Sequence, residues 1–132
     1  MYLGSYRPSF DKNTRRIALP KKIRSYLAIN EVILTYGFER CIFGFDKDAW
    51  QKESEKQLNE PITNRGARDT RRFFFASARL VQFDNQGRFV IPNDLLEYAR
   101  ITSPIVIGAG DHFEIWEEFS WQEQMDKLEE DR

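Results

Sequence analysis

Arg16-Ile-Ala-Leu-Pro20 and Arg88-Phe-Val-Ile-Pro92 are one pattern written twice, 72 residues apart, and each runs into a helical stretch, Lys21 to Leu27 and Asn93 to Ala99. Tyr26 and Tyr98 keep that offset. Asp11 and Asp84 precede the pattern at an offset of 73, and Gly37/Gly108, Ile42/Phe113, Phe45/Trp116 and Trp50/Trp121 follow it at 71. The drift means one extra residue before Arg16 in the first copy and one fewer before Gly37. Two copies in 132 residues leave each too small for a core of its own. They are expected to pack together about a pseudo-twofold axis.

Each copy reads as a short run of strands with one or two helices. Arg79 to Phe83 is a strand, Asp84-Asn-Gln-Gly87 a four-residue turn, and Arg88 to Ile91 the returning strand. Pro92 suits the first position of a helix whose apolar face is Leu95, Leu96 and Ala99. Ile105 to Ile107 is a buried strand, and His112 to Trp116 alternates as a half-buried one. Ser120 is the expected N-cap of a closing helix, Trp121 to Glu130, and Asp46 or Asp48 that of Ala49 to Leu58. Asn59 to Arg72, with Pro61 and Gly66, reads as a linker. Units 5–48 and 77–120 with an acidic C-terminal segment, 121–132, form the expected organisation.

Charge is distributed unevenly behind a formal net value of −1. Ser5 to Arg24 carries Arg7, Lys12, Arg15, Arg16, Lys21, Lys22 and Arg24 against Asp11 alone, whereas Asp111 to Arg132 holds nine acids and two bases. Arg65 to Arg72 is a second basic island. A chain so polarised can offer a basic face to a phosphate backbone. Cys41 is the single cysteine, which excludes a disulfide framework and an all-cysteine metal site. The longest apolar runs, Phe73 to Ala76 and Phe89 to Ile91, are far too short to span a membrane, and the start lacks the basic-then-apolar pattern of a signal peptide. A soluble cytosolic protein is expected.

Asp84-Asn-Gln-Gly-Arg-Phe-Val-Ile-Pro92 fits an Asp-x-x-Gly-Arg-apolar-apolar-apolar-Pro signature at every defined position. With Gly37 to Phe45, Trp50, Arg72 to Ala78 and Phe113 to Trp116, it makes nearly the whole chain resemble the MraZ family. These are bacterial transcriptional regulators built from two SpoVT/AbrB-like units. The resemblance implies a mainly β, α+β fold of swapped-hairpin or double-split β-barrel type. It further implies a nucleoid-associated cytoplasmic regulator without catalytic activity or cofactor, a ring-shaped homo-oligomer, and double-stranded DNA carrying promoter repeats near cell-division and cell-wall genes as the partner. The first copy departs from the signature: Asp11-Lys-Asn-Thr-Arg-Arg-Ile-Ala-Leu-Pro20 is one residue longer and lacks the turn glycine. Counted from Asp11 the motif arginine is Arg15; counted back from Pro20 it is Arg16. The spacing from Asp11 favours Arg15 as the probe.

A side chain that reads DNA needs a rigid mount and a planar donor, which an arginine on a β-turn provides. Asp11, Asp84 and Gly87 would shape the turns, and Arg15 or Arg16 with Arg88 would act as paired probes. Arg7, Lys12, Lys21 and Lys22 would add phosphate contacts. The basic island and the acidic terminal helix are candidate faces for assembly. Two aspartates at equivalent positions also suggest an acid-dyad hydrolase, but neither lies in an Asp-Thr/Ser-Gly turn and each has an arginine within a few residues that would hold it ionised. A scaffold or antitoxin-like AbrB module that binds no DNA is the more serious alternative. His112 and Cys41 occupy equivalent strand positions, with no triad or zinc spacing, and the tryptophans with Phe45 read as core. No membrane or small-molecule partner is indicated.

Overall fold

A computed structural model describes residues 1–131, so the expected acidic segment is described as far as Asp131, and position 132 lies outside. The chain is α+β, with two antiparallel sheets among the described residues. The larger is built from β1 (Ser5–Tyr6), β8 (Pro104–Gly108), β9 (Phe113–Glu117), β5 (Ile42–Phe45), β4 (Glu31–Tyr36) and β6 (Arg79–Gln82), in that order. The smaller joins β2 (Phe10–Asp11), β3 (Arg16–Ala18) and β7 (Arg88–Val90). Five α-helices are present among the described residues: α1 (Lys21–Arg24), α2 (Lys47–Asn59), α3 (Arg65–Ala76), α4 (Asn93–Ala99) and α5 (Glu118–Glu130). No helix among the described residues is long and apolar enough to cross a membrane.

Alternation along the central strands sorts the core into two layers. Ile42, Val106, Phe113 and Ile115 face Ile17, Leu19, Ile23, Phe89, Ile91 and Leu95 of the small sheet, α1 and α4. Their neighbours Phe43, Phe45, Ile105, Ile107 and Trp116 face the opposite way, against Phe74, Trp50 and Trp121 of α3, α2 and α5. Phe45 and Trp116 are buried and Trp50 and Trp121 pack on them, so these aromatics are core, as their repeat positions suggest.

The two sheets cross the boundary between the copies. β3 pairs with β7 so that Ile17 faces Phe89, while Arg16 faces Val90 and Ala18 faces Arg88. β5 pairs with β9 so that Phe43 faces Glu114, with Ile42 opposite Ile115 and Gly44 opposite Phe113. Both ladders are therefore centred on residues related by the repeat. The large sheet is open, with β1 and β6 at its edges, so its strands do not close into the expected barrel.

Three local expectations are revised. Arg79 to Ile91 is no hairpin: β6 pairs with β4 and β7 with β3, so the strands on either side of the 84–87 turn enter different sheets. The expected linker contains most of α3, which starts at Arg65 under an Asn64 cap whose Oδ1 accepts from Ala67 N at 3.1 Å. Phe74, on that helix, is 2% exposed, and its burial stabilises a helix that carries Gly66 in its first turn. Thr35 Oγ1 donates to Phe74 O and lies 2.6 Å from Ser77 Oγ, which fastens the end of α3 to β4. The closing helix begins at Glu118, capped by the Glu117 carboxylate, which accepts from Phe119 N; Ser120 lies inside it. In the first copy Asp46, rather than Asp48, is the cap, accepting from Ala49 N at 2.8 Å.

The one histidine has more work than its spacing indicates. Asp111 Oδ1 lies 2.7 Å from His112 Nδ1 and Glu114 Oε2 lies 2.7 Å from Nε2, while the ring stacks on Phe45. Two carboxylates on two ring nitrogens call for the imidazolium, which donates to both. Burial opposes that charge, but the hydrogen bonds and charges of Glu114 and Asp111 outweigh it, and the pKa rises above 6.5. A raised folded-state pKa makes the contribution complete below the unfolded value and erases it as pH climbs through the folded one. His112→Gln should therefore lose stability relative to the parent at about pH 6 and much less at about pH 9, as urea unfolding at the two values would measure.

Candidate nucleic-acid interface

In the second copy Gly87 N donates to Asp84 O at 2.9 Å and Asp84 N to Arg88 O at 3.1 Å, closing the turn. Gly87 has φ +78°, a conformation that glycine adopts without strain. Asp84 Oδ1 accepts from Gln86 N (2.9 Å) and Arg88 N (3.0 Å), and Oδ2 accepts from Arg88 Nε (2.9 Å). The Arg88 backbone amide leads the causes that hold the Asp84 carboxyl below its ordinary range, with the guanidinium adding to it. Only Nε of Arg88 is used by this pair, so both Nη groups remain for a ligand. Aspartate here orients the arginine.

The first copy accommodates its extra residue by strain. Asp11 pairs opposite Arg16, and Lys12 to Arg15 form the loop between β2 and β3. Arg15 takes φ +61°. Its carbonyl accepts from Ile91 N at 2.9 Å, just as the Gly87 carbonyl accepts from Leu19 N at 2.8 Å. These two bonds are repeat equivalents, so Arg15 stands where the second copy has Gly87. Arg16 then resumes the strand. On position it is Arg16, not Arg15, that corresponds to Arg88; the count from Pro20 prevails over the count from Asp11. Asp11 Oδ1 accepts from Asn13 N and Thr14 N, and its carboxylate is spent on the loop rather than on an arginine.

Alternation on the small sheet points Phe10, Ile17 and Phe89 inward. Asp11, Arg16, Arg88 and Val90 are exposed on the other face, and Arg16 and Arg88 sit on adjacent strands, two residues from being directly opposite. Lys12 is exposed in the loop beside Asp11, and Lys21 and Lys22 are exposed on α1. Arg7 is differently engaged, with Nη2 2.6 Å from Glu118 Oε1.

The candidates for assembly are also partly engaged within the chain. Arg71 donates to the carbonyls of Gln57, Leu58 and Glu60 at the end of α2, Arg68 donates to Ile62 O, and Arg72 pairs with Asp69. Cys41 is fully buried, and burial pushes its thiol far up, which leaves it unreactive. No cluster of three or more histidine, cysteine or acidic side chains among the described residues is arranged to hold a metal ion.

A family model described as "MraZ protein, putative antitoxin-like" matches residues 1–73 and again 74–132. The chain belongs to the MraZ family. Two matches in tandem account for the repeat. A relative named Transcriptional regulator MraZ, from Caldicellulosiruptor saccharolyticus, is 40% identical over 126 residues, covering 95% of this chain and 87% of its own length. Sequence reasoning left Arg24 out of the candidate residues, although Arg24 Nη1 donates to Asn85 O at 2.6 Å, inside the second turn. Its place in the basic run was visible; its partner, 61 residues away, was not.

Two substitutions separate the turn backbones from their side chains. Arg15→Gly should raise stability by up to about 1 kcal/mol, by removing a left-handed non-glycine residue. Gly87→Ala should lower it by about 1–3 kcal/mol, since a Cβ there would lie 2.9 Å from Leu19 O and 2.8 Å from Arg24 Cδ. Denaturant midpoints of the two variants measure both effects.

Proposed function

We propose that this chain is a sequence-specific DNA-binding transcription regulator whose reading surface is the exposed face of the small sheet. The observation that carries this reading is the pair Arg16 and Arg88 on adjacent strands, one of them oriented by Asp84 with its Nη groups unpaired among the described residues. A guanidinium so held fits the O6/N7 edge of guanine or a phosphate. Lys12, Lys21 and Lys22 supply backbone contacts that carry affinity without sequence. Units 5–48 and 77–120 each contribute one turn. The repeat-centred ladders support a pseudo-twofold relation between them with hairpins swapped across it, which would present the two probes to successive bases or backbone strands.

The relative's name as a transcriptional regulator supports the same reading. So does the treatment of Asp11 and Asp84: each carboxylate is satisfied by amides of its own turn, and Asp84 is kept ionised by its neighbour, the opposite of what a proton-sharing dyad needs. Promoters of cell-division and cell-wall genes are the targets the family resemblance suggests. A ring of protomers would multiply two probes into many and favour repeated DNA boxes by avidity.

A random duplex pool selected by binding to the protein tests this directly. An enriched sequence, bound with steep salt dependence, is the expected result. Arg88→Ala and Arg16→Ala should each reduce affinity for that duplex by about tenfold to a hundredfold with the melting temperature unchanged, and Arg15→Ala should do far less. No enrichment at any salt would favour the scaffold or antitoxin-like role. A large fall in melting temperature for Arg88→Ala would make that arginine structural. Light scattering of the same sample should give a mass well above one chain; a monomer that binds one and three copies of the enriched box equally would remove the ring and its avidity.

A further inference from the structure

We infer that Arg24, on the first unit, is a positioning residue for the second unit's reading turn, and that it makes the two probes unequal. The inference rests on the DNA-binding reading above and deepens it. A hairpin tip is normally held by the ladder between its own strands, but β6 and β7 pair elsewhere, so the 84–87 turn has no such ladder. What holds it from outside comes from the other unit. Leu19 N donates to Gly87 O at 2.8 Å, and Arg24 Nη1 donates to Asn85 O at 2.6 Å. The Arg24 stem lies so close to Gly87 that a Cβ there would be 2.8 Å from Cδ and 3.1 Å from Nε. Arg24 Nε is itself buried, with no partner among the described residues. Burying that N–H without a partner costs free energy, which the hydrogen bond to Asn85 and the packing of the stem on Gly87 must offset.

Among the described residues, the first unit's turn has no counterpart of this brace. Leu96 occupies the position equivalent to Arg24, and a leucine donates nothing. Asp11, moreover, makes no bond to Arg16, whereas Asp84 clamps Arg88. Arg88 is thus the fixed probe, with turn and side chain both restrained, and Arg16 the compliant one. A fixed planar donor discriminates bases; a mobile one tolerates them or follows a phosphate. The two halves of one protomer's DNA box should therefore differ in stringency, sharp under Arg88 and loose under Arg16.

Arg24→Met keeps the apolar stem against Gly87 and removes the donors; Arg24→Lys keeps the charge and loses the planar fork. Two measurements on each variant separate a brace from a phosphate contact. The first is amide hydrogen exchange of Gln86, Gly87 and Arg88 in the free protein, which involves no DNA. The second is affinity for the selected duplex and for a scrambled one across salt. A brace predicts faster exchange at those three amides in Arg24→Met. It also predicts about tenfold weaker binding to the selected duplex, little change on the scrambled one and an unchanged salt slope. The loss should vanish when Arg88→Ala is already present. A phosphate contact predicts equal losses on both duplexes and a salt slope shallower by about 0.9, with turn exchange unaltered, and would overturn the inference. Unaltered exchange with unaltered binding would overturn it as well, while leaving the DNA reading intact. If the parent protein selects no sequence, the DNA reading falls, and turn exchange alone still decides whether Arg24 braces the turn.

Discussion

Pairing of β3 with β7 is the contact on which the rest of the molecule depends. Neither strand has more than three residues, and neither would persist alone in water. Joined, they place Ile17 and Phe89 opposite each other at 0% and 4% exposure, and each such burial is worth about 1.5–3 kcal/mol. The same pairing carries Leu19 N to Gly87 O and Ile91 N to Arg15 O, so the backbone of each turn is satisfied by the other unit. The two repeats of the sequence share this sheet, because β7 pairs with β3 rather than with β6. The outward face of that shared sheet is where the arginines stand.

From this contact the asymmetry of the site follows. An inserted residue in the first copy has to be absorbed somewhere, and the carbonyl that Ile91 needs fixes where. The loop bends until Arg15 fills the left-handed position, and Arg16 keeps its place on the strand. Asp11 is drawn into stabilising the longer loop and no longer reaches an arginine. In the second copy, glycine takes the strained position at no cost, and Asp84 is left free to orient Arg88.

Much of this was legible in the sequence, because repeated positions carry their structure with them. The helix after Pro92, the buried strand around Val106 and the aromatic core at Phe45 and Trp116 are decided by local periodicity and turn chemistry. The turn at Asp84 to Gly87 was legible for the same reason. Pairing partners were not. Nothing near Gln82 or Arg88 says that the chain changes sheets between them, since that choice belongs to β3 and β4 far upstream. α3 was hidden by Pro61 and Gly66, whereas the Asn64 cap and the burial of Phe74 favour it. Arg15 and Arg16 are indistinguishable by counting, since two counts disagree; the hydrogen bond from Ile91 separates them. Arg24 was one basic residue among seven until its carbonyl partner came into view.

The proposed reading surface is the exposed face of the shared sheet. Titration of the protein with the selected duplex, followed by NMR of backbone amides and arginine Nε groups, tests it most directly. The perturbed signals should cluster on Lys12, Arg16, Ala18, Lys21, Lys22, Arg88 and Val90, with Arg88 Nε shifting most sharply. Helices α2 and α5, across the large sheet, should stay unperturbed. Perturbations centred on those helices, with Arg16 and Arg88 unmoved, would contradict it.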